Sequence, residues 1–325
     1  MLAFAQNAVP PFATAHNFAS CGQLRTNLAV VTVMITTVAR SRLARGHAGT
    51  EWSTVLAAQP FAPAQDGDEP VNTKYLDINQ DGYSVRCKLM CGTNARQHRR
   101  VVVCTHGFGG NKDITSIQKF AEKETGKFKD DAVLAFDWPC HGKDARKKLE
   151  LAECFEYLKL VVDYARGELG ASFVYNYSVS LGAFLTLAYM HQFGNPFARV
   201  ALRSTGLDME RHMRNNVSPA DLPKLERGRE VEVGFERKMK IDQRLLDDLA
   251  ANDVRKFEYF DWADGILMLH GTEDEYIPIA EARKFADNNV IELVEVEGSD
   301  HAFRNPKNMD LAIHTVVEFF SPQGK

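Results

Sequence analysis

The sequence predicts an α/β protein, a mostly parallel central sheet with helices on both faces and a small lid insertion, and three observations predict it. From residue 71 onward, short apolar runs suited to strands alternate with amphipathic segments suited to helices, the pattern of a parallel sheet covered on both sides. That alternation stops once, at about residues 207–262, where a charged segment intervenes. With 325 residues, 45% of them hydrophobic, the chain can build one large core and carry an appendage.

The elements follow in order. Residues 74–78 and 83–90 flank Asn79, Gln80, Asp81 and Gly82, which predicts an antiparallel hairpin at the start of the sheet. Residues 101–105 form a continuous apolar run, suited to a strand buried on both faces. A helix over 113–124 leads to a strand at 132–136, a helix over 149–166 to a strand at 172–177, and a helix over 181–190 to a strand at 200–203. Within the insertion, 230–235 and 237–241 alternate enough for a small hairpin, and 243–251 reads as a helix. Strands at 265–269 and 290–296 bracket a helix near 280–286, and a helix over 309–320 closes the domain. An insertion at 207–262 would sit over the strand ends, as a lid does.

Residues 1–70 read as a poorly ordered extension before a domain at 71–325. Their apolar run at 28–38 is too short for an integral membrane span, which needs about 20 residues. A net charge of −4 with interspersed signs argues against a nucleic-acid partner. Cys21, Cys87, Cys91, Cys104, Cys140 and Cys154 show no paired zinc-type spacing, so neither a metal nor another cofactor is expected. A reducing, cytoplasmic setting fits them best, with secretion by an atypical leader as the alternative.

The chemistry concentrates in strand-end loops. Ser180, in Ser178-Val179-Ser180-Leu181-Gly182, follows a strand and opens an apolar helix, the context of a nucleophile elbow. Small residues are needed two places either side, because strand and helix crowd there. Ser178 is the weaker candidate, since its own flanks, Asn176 and Ser180, lack glycine. In isolation a serine before a helix is more often an N-cap. The run His106-Gly107-Phe108-Gly109-Gly110 also follows a strand and can aim amides at developing negative charge; Phe108 and Leu181 are the expected oxyanion donors. No Lys-Ser/Thr pair follows those glycines, which excludes a phosphate loop. Asp274 and His301 follow the next strands as expected acid and general base, giving the chain order Ser, Asp, His. Glu273, Glu275, Asp208 and Asp300 compete as acids and read by default as solvated charges or caps. His106 and His270, each before a glycine, read as packing residues under their loops.

HGFGGNK from His106, FDWPCHGKD from Phe136, YSVSLGAFL from Tyr177, HGTEDEYIP from His270 and GSDHAF from Gly298 together resemble the α/β-hydrolase superfamily. Within it the chain is most similar to small bacterial esterase-like and proline-iminopeptidase-like members with a lid between the sixth and seventh strands. The resemblance implies a serine hydrolase with Asp274 orienting His301. Three positions depart from the family pattern: Ser178 stands where the elbow's first glycine is usual, and Cys140 and Asp144 stand where glycine and serine are usual. The expected activity is hydrolysis of a small-molecule carboxylic ester through an acyl-enzyme. An aminopeptidase or thioesterase is the alternative, and a non-catalytic binding protein on the same fold is the reading from another class.

Overall fold

A continuous apolar strand needs cover on both faces, and the computed structural model supplies it. Val101 and Val103 enter one apolar core while Val102 and Cys104 enter the other, all four without exposure. The structure describes residues 53–56, 71–92, 98–144, 148–234 and 237–322, all within the unit Thr50–Lys325.

In chain order the elements are β1 (Ser53–Leu56), β2 (Asn72–Gln80), β3 (Tyr83–Cys91), β4 (Arg100–Thr105), α1 (Thr115–Lys127), β5 (Asp131–Phe136), α2 (Leu151–Gly167), β6 (Phe173–Val179), α3 (Leu181–Phe193) and β7 (Arg199–Arg203). The insertion contributes α4 (Met209–Asn215), α5 (Leu222–Glu226), β8 (Val231–Val233), β9 (Met239–Ile241) and α6 (Gln243–Ala251). The chain then closes with β10 (Ile266–Gly271), α7 (Ile279–Asn289), β11 (Glu292–Val296) and α8 (Pro306–Phe320).

The sheet runs β1-β11-β10-β7-β6-β4-β5-β3-β2, parallel from β1 to β5, with β3 and β2 antiparallel at one edge. The β2–β3 hairpin turns on Asp81 and Gly82, both at positive φ (51° and 84°), as a two-residue turn matched to strand twist requires. Helices α2, α3 and α7 cover one face, and α1 and α8 cover the other.

Two differences from the sequence reading have local causes. β1 pairs with β11 upstream of residue 71; a four-residue edge strand offers no alternation to read. The rest of the expected extension, with Cys21 and the run at 28–38, lies outside the described residues. Helix α4 was not legible because only Met209 and Met213 are buried in it, one contact per turn among charged neighbours.

At the amino ends of the central strands, a charged cluster is sealed in. Arg100 of β4 donates to Asp131 of β5, to Glu124 of α1 and to the carbonyl of Phe320, joining strands and both helices of one face. Among the described residues, no helix is long and apolar enough to cross a membrane.

Candidate active site

The turn from β6 into α3 forces Ser180 into a backbone conformation that L-residues rarely adopt, φ 53° and ψ −115°. Such strain persists only where the surroundings over-determine it, and here they do. A Cβ on Gly182 would come within 2.2 Å of Thr105 Oγ1 and 2.8 Å of the His106 carbonyl, so no larger residue fits. Phe184 N donates to Ser180 O as the first bond of α3, which leaves the amides of Leu181, Gly182 and Ala183 ahead of it.

Ser178, in the place of the elbow's first glycine, is fully buried and faces away from any substrate. Its hydroxyl accepts from Thr105 Oγ1 (2.8 Å), donates to Asn176 Oδ1 (2.6 Å) and meets Thr186 Oγ1 (2.8 Å). A polar side chain is tolerated at this crowded point because all its hydrogen-bonding capacity is used.

Three loops meet at the carboxyl ends of β6, β10 and β11. Ser180 Oγ donates to His301 Nε2 at 2.9 Å, and His301 Nδ1 donates to Asp274 Oδ2 at 2.8 Å. The buried Asp274 carboxylate also accepts from the amides of Tyr276 (2.9 Å) and Ile277 (2.8 Å) on Oδ1, and lies 3.2 Å from His270 Nε2. Burial opposes its charge, yet the bonds from His270, His301 and Ile277 overcome that and hold it well below the ordinary carboxylate range. Asp274 is therefore held as the anion at neutral pH. The two loops are laced together: Glu273 N donates to Ser299 O, and a Cβ on Gly271 would collide with that same carbonyl at 2.2 Å.

The glycine-rich turn after β4 is clamped from behind. His106 Nε2 accepts from Trp138 N (3.2 Å) while its Nδ1 donates to Gly107 O (2.8 Å), which fixes the peptide plane that carries the Phe108 amide. Burial, with His141 beside it, keeps His106 well below the usual histidine value, so the ring stays neutral and holds both bonds. Lys112 adds a second clamp, its amide and its Nζ both donating to Asp137, at 2.7 and 3.0 Å. The departure at Cys140 is resolved by backbone geometry: it sits at φ 67°, a glycine-like conformation, with its thiol donating to Lys148 O (2.9 Å) and its amide to Asp144 (3.0 Å).

Of the competing acids, Asp208 pairs with Arg211 and Arg255, and Asp300 pairs with Arg304. Glu273 is exposed. Glu275 accepts from the His301 amide (3.1 Å), so it steadies the histidine loop without touching the ring. Two further supports escaped the sequence reading: Ser204, whose hydroxyl donates to His301 O (2.8 Å), and His270, whose Nε2 lies between Ile277 O and Asp274. A histidine before a strand-end glycine signals His270 weakly; nothing in the sequence signals Ser204.

Ser180, His301 and Phe108 open on one cavity of about 810 Å³, the size of a small-molecule site. Met209 and Met213 of α4 supply its wall from the insertion, and Arg237, just before β9, adds a cation.

No protein-family model and no curated protein matches the chain. Among solved structures it is similar to Est1E from Butyrivibrio proteoclasticus with ferulic acid bound, at 20% identity and TM-score 0.61, covering 75% of this chain and 97% of that one. The esterase domain of a Rhodothermus marinus protein matches at 18% identity and TM-score 0.55 over 77% and 98% of the two chains. Mouse alpha/beta hydrolase domain-containing protein 10 matches at 13% identity and TM-score 0.58 over 75% and 97%. With this sheet order and these neighbours, the chain has the α/β-hydrolase fold.

Proposed function

We propose that the protein is a serine hydrolase that cleaves a carboxylic ester through an acyl-enzyme on Ser180. The observation that carries this reading is the unbroken run of hydrogen bonds from Ser180 through His301 to Asp274, opening on a cavity at the carboxyl ends of the strands. Ser180 Oγ attacks the ester carbonyl as its proton passes to His301 Nε2. The resulting imidazolium is stabilised by Asp274, which also keeps the proton-free nitrogen turned toward the serine. The amides of Phe108 and Leu181 receive the oxyanion, and preorganised donors of this kind are worth about 3–4 kcal/mol each. His301 returns its proton to the leaving alcohol. Water, deprotonated by the same nitrogen, then attacks the acyl-enzyme and releases the acid and free Ser180.

The insertion at 207–262 acts as a lid, with Met209 and Met213 facing the substrate space. An aminopeptidase would need a carboxylate to hold a free amine. Glu230 is instead paired with Lys240 (3.1 Å), and Glu275, the acid lining the cavity, is committed to the His301 amide and Arg304. The same machinery would also cleave a thioester.

The test is a panel of p-nitrophenyl esters against amino-acid p-nitroanilides, with rapid-mixing traces on the best substrate. Ester turnover with a burst near one equivalent of p-nitrophenol, absent in Ser180→Ala, is expected. Turnover of amides alone, or ester turnover that survives Ser180→Ala, would reject the assignment.

A further inference from the structure

Arg203 is 3% exposed, at the end of β7 beside the elbow, where its carbonyl accepts from the Ser180 amide at 3.0 Å. It is in register with Val179 on one side and Leu269 on the other, and its side chain shares their face of the sheet. The guanidinium lies over the Phe303 ring (5.2 Å) and against the Met309 sulfur (2.7 Å), and its Nε has no hydrogen-bond acceptor. No carboxylate pairs with it among the described residues. The contrast with Arg100 is direct: that buried guanidinium is met by two carboxylates and a carbonyl.

A buried cation surrounded by apolar groups is costly unless something of opposite charge reaches it. Arg203 lines the cavity that contains Ser180, together with Val179, Ile114 and Ala302. Arg237, on the same cavity, donates to the carbonyls of Cys140 and Gly142. The other charges at its rim are already neutralised, Arg211 by Glu281 and Asp208, and Glu275 by Arg304. Among the described residues, the cavity therefore carries positive charge that no carboxylate balances.

Resting on the ester-hydrolase reading above, we propose that the substrate is itself an anion, an ester bearing a free carboxylate that is seated against Arg203. The second carboxylate is not consumed. It fixes the substrate while the ester bond is exchanged for water, giving an alcohol and an acid in the ordinary balance of hydrolysis. A guanidinium presents paired donors that match a carboxylate in a plane, so this contact orients as well as attracts.

The test compares matched chromogenic esters that differ by the charge. One pair carries it on the acyl side, mono-p-nitrophenyl adipate against p-nitrophenyl hexanoate; the other carries it on the alcohol side, 4-acetoxybenzoate against its methyl ester. In the intact protein, kcat/KM for the charged member of one pair exceeds the neutral member by at least about tenfold, the size of a single charge-assisted hydrogen bond. In Arg203→Met that ratio collapses toward one, and in Arg203→Lys it is partly restored. Equal rates within both pairs in the intact protein overturn the proposal even if the variants fail to fold, as does a preference that survives Arg203→Met. Hydrolysis of neutral esters with no charge preference leaves the hydrolase reading standing. Failure to cleave any ester, charged or neutral, removes both.

Discussion

Two buried clusters of ionisable groups sit at opposite ends of the same parallel strands, and they are built differently. At the amino ends, Arg100 binds Glu124, Asp131 and the Phe320 carbonyl, and the cluster is closed on itself but for Glu124 Oε2, which has no partner. At the carboxyl ends, Asp274 is satisfied several times over, yet its chain of bonds ends at Ser180 on open space. The first arrangement converts charge into rigidity; the second holds the proposed nucleophile in a strained turn and leaves its outer side free. Change at the carboxyl ends should therefore cost activity and spare stability, and change at the amino ends should do the reverse.

The largest expected effect is on turnover. Ser180→Ala keeps the Cβ and the elbow's backbone, so kcat on the best ester falls by about 10⁵ or more while the denaturation midpoint moves by no more than about 1 kcal/mol equivalent. Stopped-flow rates and a urea titration on one preparation check both halves. Asp274→Asn follows, at about 10⁴ in kcat, because an amide favours the wrong histidine tautomer. A loss smaller than tenfold would mean that Asp274 only shapes its loop.

On the other side of the comparison, Arg100→Met leaves the buried Asp131 and Glu124 side chains around no cation and destabilises by about 3–5 kcal/mol, with the kcat of the folded fraction unaltered. Ser178→Ala, which strands the hydroxyls of Thr105 and Thr186, costs about 1–3 kcal/mol. The most gradual effect is a slope. Burial, only partly offset by Arg100, raises Glu124 to about 8, so the folded chain keeps a proton that the unfolded chain loses near 4.5. The Glu124 contribution to stability then falls as pH rises between those values, by at most about 1.4 kcal/mol per pH unit. Glu124→Gln removes this contribution, so the variant gains on wild type as pH rises through the window; a wild-type-minus-variant difference that does not change with pH there would show that Glu124 takes up no proton on folding.

Most of the fold was legible in the sequence because the parallel strands are apolar on both faces. Runs such as Val101, Val102 and Val103 admit few other readings. The hairpin was legible from Asp81-Gly82, whose backbone preference is local. Ser180, His301 and Asp274 could be named because each follows a strand, and strand ends bring distant loops together. What could not be read depended on side-chain direction or on a few residues. Asp274 was named over Glu273 and Glu275, but the physical ground for that choice, the capture of its carboxylate by the amides of Tyr276 and Ile277, was not legible. Ser204 acts on His301 from 97 residues away, through one hydroxyl, and leaves no pattern. Cys140 read as a departure from glycine, and only its φ of 67° shows that a glycine-like conformation is still in use there.

The central claim is that Ser180 is the activated nucleophile, and covalent trapping tests it most directly. Brief incubation with a fluorophosphonate followed by intact mass and peptide mapping should give one adduct per chain, on Ser180, lost in His301→Ala and unaffected by Arg100→Met in the folded fraction. A protein that stays unmodified, or is modified at another serine at an equal rate, would contradict it.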